Sequence, residues 1–309
     1  MNELPDFPLR LTLELTNECN YRCSMCPSRL QADVPRGYME PGLFKKIVDQ
    51  AAAKLPVTLV PFFRGESLLH PEIAALIAYA KQKGLGPVQL ASNGSLLNAD
   101  MAGALLDSGP DFISFSLDAI DPQEYALMRP GGNLARVQKN VLAFMERRDK
   151  GAFATTVQVS ATRTGLNHKS IDRFIEFWRD KADRTRIYYE HSQDGHTGSL
   201  DCPEVPREME RRPCAKLYSD MVVYFNGEVA LCNHDWFRQE PLGDLNQQTV
   251  AEVWRGPAYN ALRAQHQDPS TLTDQTCRHC DHWKIAYLED GLVGELYLRE
   301  ERRASRAAL

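Results

Sequence analysis

From residue 9 onward, short runs rich in β-branched and aromatic residues alternate with longer stretches of helical periodicity. That alternation narrows the fold more than any other feature, because strands joined through helices pair in parallel. Six units can be counted, with strands over 10–15, 58–63, 88–92, 112–117, 156–162 and 186–190. Helices are expected over 41–54, 71–83, 98–108, 133–148 and 167–181, opened by Pro41, Pro71, Asn98, Asn133 and Asn167. Proline at a first helical turn and asparagine at an N-cap are ordinary start signals. Right-handed crossovers gather the C-terminal ends of parallel strands on one face, where ligands usually bind.

The 309 residues suit one large α/β domain with a smaller appendage. A net charge of -5 provides no broad attraction to nucleic acid and makes a polyanionic substrate a poor first expectation. No apolar run approaches the roughly 18 residues needed to span a bilayer. The N-terminus lacks the basic and apolar regions of an export signal. We therefore expect a cytoplasmic protein with no membrane or nucleic-acid partner.

Around 191–213 the pattern dissolves into Gly, Ser, Asp and Pro with a charged run over 208–212, which reads as a solvated linker. Beyond it, β-rich runs over 219–225 and 228–231 flank Asn226-Gly227, the strongest short hairpin signal. The expected division is a core over 1–195, a linker over 196–213, a small hairpin and helix domain over 214–290, and a helical tail over 291–309.

Seven of the eight cysteines fall into two groups with ligand-like spacing, and Cys202 is left over. Cys19, Cys23 and Cys26 lie within eight residues of the loop after the first strand. Structural zinc wants four ligands, whereas a [4Fe–4S] cluster on three thiolates keeps one iron open. A zinc knuckle is the competing reading. The Cys-x3-Cys-x2-Cys segment after an amphipathic first strand, followed by five more βα units, resembles the radical S-adenosylmethionine (SAM) superfamily. Met25 stands where that family usually has an aromatic residue, and it still offers apolar contact.

The resemblance implies a partial (β/α)6 barrel whose open iron chelates the methionine of SAM. Arg64-Gly65-Glu66-Ser67 is similar to the family's Gly-Gly-Glu-Pro motif with both outer residues altered. It implies that Gly65 allows close backbone approach and that Glu66 receives the methionyl ammonium. Ser92-Asn93-Gly94 is similar to Thr-Asn-Gly, so Asn93 is either a cofactor contact or a plain turn residue. Ser116 and Asp118 share a face at the end of the fourth strand, and in relatives such a pair meets ribose or substrate. Arg129 and the backbone of Thr162 and Arg163 are further candidates for the SAM carboxylate and adenosine.

Cys214, Cys232, Cys277 and Cys280 form the second group. Its first half resembles the opening of SPASM/Twitch extensions, which implies one auxiliary [4Fe–4S] cluster of Twitch type. A zinc ribbon is the alternative, with His279 and His282 beside the last pair. The implied chemistry is reductive cleavage of SAM to a 5′-deoxyadenosyl radical that takes hydrogen from a substrate, with flavodoxin or ferredoxin as electron donor. The spacing from Cys214 to Cys280 is similar to that of Twitch dehydrogenases acting on aminocyclitol alcohols, so oxidation of a small polar alcohol is expected. Epimerisation with Cys202 as hydrogen donor is the runner-up. Only about eight residues precede the first strand, which weighs against a peptide-modifying maturase with a leader-binding domain. The polar segment 189–194 is expected either to bind hydroxyls or to be irregular linker. A non-catalytic zinc protein is the alternative from another class.

Overall fold

The computed structural model describes residues 4–31, 34–189, 208–237, 240–288 and 294–299. Six strands form the frame: β1 (Arg10–Leu13), β2 (Thr58–Val60), β3 (Gln89–Ser92), β4 (Phe112–Ser116), β5 (Thr156–Arg163) and β6 (Arg184–Tyr189). β1 and β2 pair in parallel, as do β3 through β6 in sequence order. The two sets meet through a parallel bridge between Leu59 and Val88. This is the expected partial barrel.

The covering helices are α1 (Pro41–Ala52), α2 (Ile73–Gln82), α3 (Ala99–Ser108), α4 (Pro122–Met128), α5 (Leu134–Lys150) and α6 (Ile171–Trp178). Asn98 caps α3 by accepting from the Met101 amide, and Asn133 caps α5 by accepting from the Arg136 amide. Leu134, Val137, Val141, Phe144 and Met145 bury the inner face of α5. Each such side chain contributes roughly 1.5–3 kcal/mol on burial. α4 was not expected from the sequence; it is a seven-residue helix, too short to show periodicity. Its start signal was present all the same, since Asp121 accepts from the Gln123 and Glu124 amides and Pro122 opens the first turn.

The strands alternate in a way that leaves the barrel interior polar. In β5, Val157, Val159 and Ala161 are fully buried in the helix-facing core, while Ser160 and Thr162 face a cavity inside the barrel. Ser92 and Ser116 supply further hydroxyls to that interior. A funnel lined by short polar side chains is a binding site rather than a packed core.

The C-terminal hairpin forms where Asn226-Gly227 predicts it, as β7 (Asp220–Val223) and β8 (Glu228–Ala230), with Gly227 at φ +95°. β7 pairs in parallel with β1, and β8 pairs with β9 (Gly243–Asp244). The hairpin assigned above to a small appended domain thus continues the barrel's own sheet. After it come α7 (Val250–Trp254), α8 (Pro257–Gln267) and α9 (Gln275–His279).

The helical expectation for 291–309 needs correction where the structure describes that segment. Glu295–Leu298 form β10, antiparallel to β6. The open edge of β6 offers unpaired backbone groups, and pairing there outweighs the weak helical preference of a short tail. Cys202 and residues 190–194 lie outside the described residues, as does most of the expected linker.

A buried ion pair ties the hairpin to the barrel. Arg64 Nε donates to Glu14 Oε1 at 2.6 Å and Nη2 to Oε2 at 2.8 Å, with both side chains fully buried. Burial alone would lower the Arg64 pKa, but the Glu14 carboxylate raises it above its ordinary value. Glu14 also accepts from the Phe225 amide of the hairpin turn, and Arg64 Nη1 donates to the Trp236 carbonyl. Removing one partner strands the other charge. Glu14→Ala should therefore lower unfolding stability by about 3–5 kcal/mol, measured by denaturant titration of the cluster-free protein. A loss below about 1 kcal/mol, the scale of an exposed pair, would mean the pair is solvated.

Candidate active site

The first cysteine loop is fixed from several sides. Thr16 Oγ1 donates to the Gly37 carbonyl at 2.7 Å, and Asn17 Nδ2 donates to the Pro35 carbonyl at 2.7 Å. Asn20 Nδ2 donates to Ser95 Oγ at 2.8 Å while its carbonyl oxygen accepts from Asn93 Nδ2 at 2.9 Å. The Ser24 amide donates to the Met128 carbonyl at the end of α4. Met25 packs on Ala119, Tyr125, Met128 and Leu134.

Cys19, Cys23 and Cys26 line one cavity of about 310 Å³ together with Gly65, Glu66, Asn93, Ser116, Asp118 and Arg129. All nine site residues expected from this half of the chain thus converge. Thr162 joins them, and Tyr21, Phe62, Phe63, Ser160, Tyr188 and Trp236, which the sequence did not single out, complete much of the wall.

Both carboxylates lining this cavity, Glu66 and Asp118, are already engaged. Glu66, only 3% exposed, accepts from the Leu68 amide, Ser92 Oγ and the Asn93 amide. Burial raises its pKa, and those three donors and Arg129 pull the other way. A carboxylate has about four acceptor sites, so one remains for an ammonium. Asp118, at φ +66°, accepts from Arg129 and from the Thr162 amide, so it orients Arg129 as well as facing the cavity. Burial opposes the Arg129 cation, but Asp118 with Cys23 and Tyr125 outweighs it and raises its pKa. Asn93 Oδ1 accepts from the Ser95 amide, so it is a turn residue and a wall residue together.

Gly65 permits the close backbone approach expected of it, and the neighbouring backbone is identified by the space a side chain would need. A Cβ there would stand 2.3 Å from the Thr16 carbonyl oxygen and 2.5 Å from that of Glu18. The close approach is to the cysteine loop itself, where the Glu66 amide donates to the Glu18 carbonyl at 2.8 Å.

Cys214, Cys232, Cys277 and Cys280 line a second, smaller cavity with His234, His266, Thr276 and Trp283. Asp274 caps α9 by accepting from the Cys277 amide at 2.8 Å. The Cys214 amide donates to His266 Nδ1 at 3.3 Å. Burial, then the charge of Arg211, lowers the imidazole pKa to about 4.

Among the described residues no three His, Cys, Asp or Glu side chains form a closed metal site. The donor chemistry nevertheless suits iron–sulfur centres, with three thiols facing one cavity and four the other. Burial pushes the Cys23 thiol up to about 12 and Cys280 up to about 11. It likewise raises Cys19, Cys214, Cys232 and Cys277. Such thiols stay protonated until a cationic centre displaces their protons.

A third cavity, of about 490 Å³, lies between the other two. It shares Phe62, Phe63 and Trp236 with the first and Cys214, Lys216, His282 and Trp283 with the second. Arg10, Thr12, Ser219, Asp220 and Asn233 give it polar groups. Lys216 Nζ stands 3.6 Å from Asp220 Oδ2. Among the described residues no helix is long and apolar enough to cross a membrane.

Comparison with known proteins agrees with this layout. The sequence profile of the radical SAM superfamily matches residues 13–177, and that of the SPASM iron–sulfur cluster-binding domain matches residues 214–281. The chain is 34% identical over 285 residues to the Mycobacterium tuberculosis protein named GTP 3′,8-cyclase 2, covering 89% of this chain and 71% of that one. It is 30% identical over 171 residues to the tungsten-containing aldehyde ferredoxin oxidoreductase cofactor-modifying protein of Pyrococcus furiosus, covering 54% of this chain. That match spans about half the relative, 47% of its length.

Two solved structures share the fold. SuiB of Streptococcus suis bound to its precursor peptide SuiA gives a TM-score of 0.70 at 16% identity, covering 96% of this chain and 76% of that one. BtrN in complex with AdoMet and 2-DOIA gives 0.60 at 16% identity, covering 91% and 94%. Identities this low carry the fold alone. With the superfamily profile covering more than half the chain and a three-cysteine loop facing the barrel cavity, the chain belongs to the radical SAM superfamily and carries a C-terminal SPASM domain.

Proposed function

We propose that the chain removes hydrogen from a small polar substrate, a sugar, aminocyclitol or similar alcohol, held in the cavity between the two cysteine sites. The observation that supports this reading is that the middle cavity shares wall residues with both cysteine cavities, Phe62, Phe63 and Trp236 with the first and Cys214, Lys216, His282 and Trp283 with the second. SAM and a [4Fe–4S] cluster bound at the first site, reduced by a donor such as flavodoxin or ferredoxin, supply the hydrogen-abstracting 5′-deoxyadenosyl radical. Cys19, Cys23 and Cys26 would hold the cluster, while Glu66 and Arg129 would meet the methionyl ammonium and carboxylate. Gly65, Asn93, Ser116 and Asp118 shape the rest of that wall.

In the middle cavity, Phe62, Phe63, Trp236 and Trp283 exclude water, and Thr12, Ser219 and Asn233 bind hydroxyls. Asp220 accepts the proton that leaves the substrate hydroxyl. Cys214, Cys232, Cys277 and Cys280 would hold an auxiliary cluster able to take up one electron, so that oxidation would balance with one hydrogen atom going to the radical and that proton to Asp220. Cys202 plays no part in that sequence, whereas a redox-neutral epimerase would use it to return hydrogen.

A second reading, radical cyclisation of a nucleoside triphosphate, draws support from the Mycobacterium relative and from Arg10 and Lys216 in the same cavity. The experiment incubates reconstituted protein with SAM and dithionite in D2O, supplying either a panel of sugars and aminocyclitols or GTP. We expect a product two hydrogens lighter, formed equally by Cys202→Ala. A deuterated stereoisomer requiring Cys202 would overturn the oxidation in favour of the epimerase. GTP-dependent 5′-deoxyadenosine formation with a product isomeric with GTP would replace it by the cyclase.

A further inference from the structure

Three buried donors face the auxiliary cysteine cavity with nothing to bond. His266 Nε2 and Thr276 Oγ1 belong to side chains 2% and 1% exposed, and neither atom has a partner. Arg211 Nε is likewise buried without one. All three residues line the cavity framed by the four cysteines. A buried donor left unpaired costs about 1–3 kcal/mol, so three around one space call for a shared acceptor.

The protonation of each is fixed by its other bonds. His266 Nδ1 accepts from the Cys214 amide, which leaves the proton of the neutral ring on Nε2. Arg211 donates from Nη2 to the Cys277 carbonyl at 2.8 Å and from Nη1 to the Cys280 carbonyl at 3.1 Å. Its guanidinium is thereby anchored to the backbone of two ligands, with Nε left over. Thr276 precedes the Cys277 ligand on α9.

We infer that His266 Nε2, Thr276 Oγ1 and Arg211 Nε donate hydrogen bonds to the sulfurs of the auxiliary cluster and favour its reduced, more negative state. Hydrogen bonds to cluster sulfurs and nearby positive charge are established means of raising a cluster's reduction potential. The cage equips the cluster to take an electron. The inference rests on reading the second cysteine group as a cluster site.

The test is an anaerobic redox titration of the full-length, iron-loaded protein, following the auxiliary cluster's EPR signal. The Cys19/Cys23/Cys26→Ala protein identifies which signal is auxiliary. His266→Leu should lower the equilibrium constant for reduction at least tenfold, about 59 mV for one electron, with iron content unchanged. His266→Gln, which restores a donor, should recover most of the loss, and the near-isosteric Thr276→Val should lower the constant about threefold. If His266→Leu fails to load, Thr276→Val and His266→Gln decide. Iron-loaded variants whose midpoints match the parent protein would overturn the inference. A parent protein with a colourless, zinc-filled second site would instead remove the cluster reading beneath it.

Discussion

Replacing Cys19, Cys23 and Cys26 together by alanine is expected to abolish 5′-deoxyadenosine formation while leaving about half the iron. The three thiols face a cavity lined by Glu66 and Arg129, and no other cysteine among the described residues lines it. The four thiols of the second group share a separate cavity and should still bind a cluster of about four irons. Iron and sulfide assay with product chromatography under reducing conditions reads both quantities. Continued cleavage of SAM by the triple variant would show that the first site has been misassigned. Complete loss of iron would show that the two cysteine groups load as one unit.

The reciprocal change should separate radical generation from oxidation. Replacing Cys232 and Cys277 by alanine removes two of four auxiliary ligands, yet touches none of the residues lining the first cavity. SAM cleavage should persist, and formation of the oxidised product should fall at least about a hundredfold, the upper range for loss of support to a metal site. Uncoupled 5′-deoxyadenosine without product is the expected signature, read by comparing the two yields in one reaction. Product formation at the parent rate would mean that the second site is structural and that the electron leaves by another route. Intact folding, checked by circular dichroism, keeps the comparison valid.

The main features of the barrel were legible because they are local. Asn98 and Asn133 are caps that act within one helical turn, and Asn226-Gly227 sets its own hairpin. The Cys19, Cys23 and Cys26 spacing likewise falls inside one loop. Arg64 was visible only as a departure from a motif. Its meaning depends on Glu14, fifty residues earlier, and on Trp236 far downstream. Glu14 alternates with Leu11, Leu13 and Leu15 in an amphipathic strand and shares its polar face with Thr12, so only the structure shows that it is buried and that its carboxylate demands a cation. Gly65 was marked for close approach, but only the tertiary contact with Thr16 and Glu18 shows what approaches it.

By itself the sequence determined the six barrel strands, five of the helices that cover them, the two thiol groups and the face on which the first would stand, because periodicity, capping and ligand spacing act over a few residues. The tertiary structure decided the pairing of β7 with β1, the addition of β10 to β6, and the cavity shared by Phe62, Trp236, Cys214 and Trp283. Those features join segments separated by up to two hundred residues or more. No local preference encodes them; they follow from unpaired strand edges and buried charges finding partners once the chain is compact.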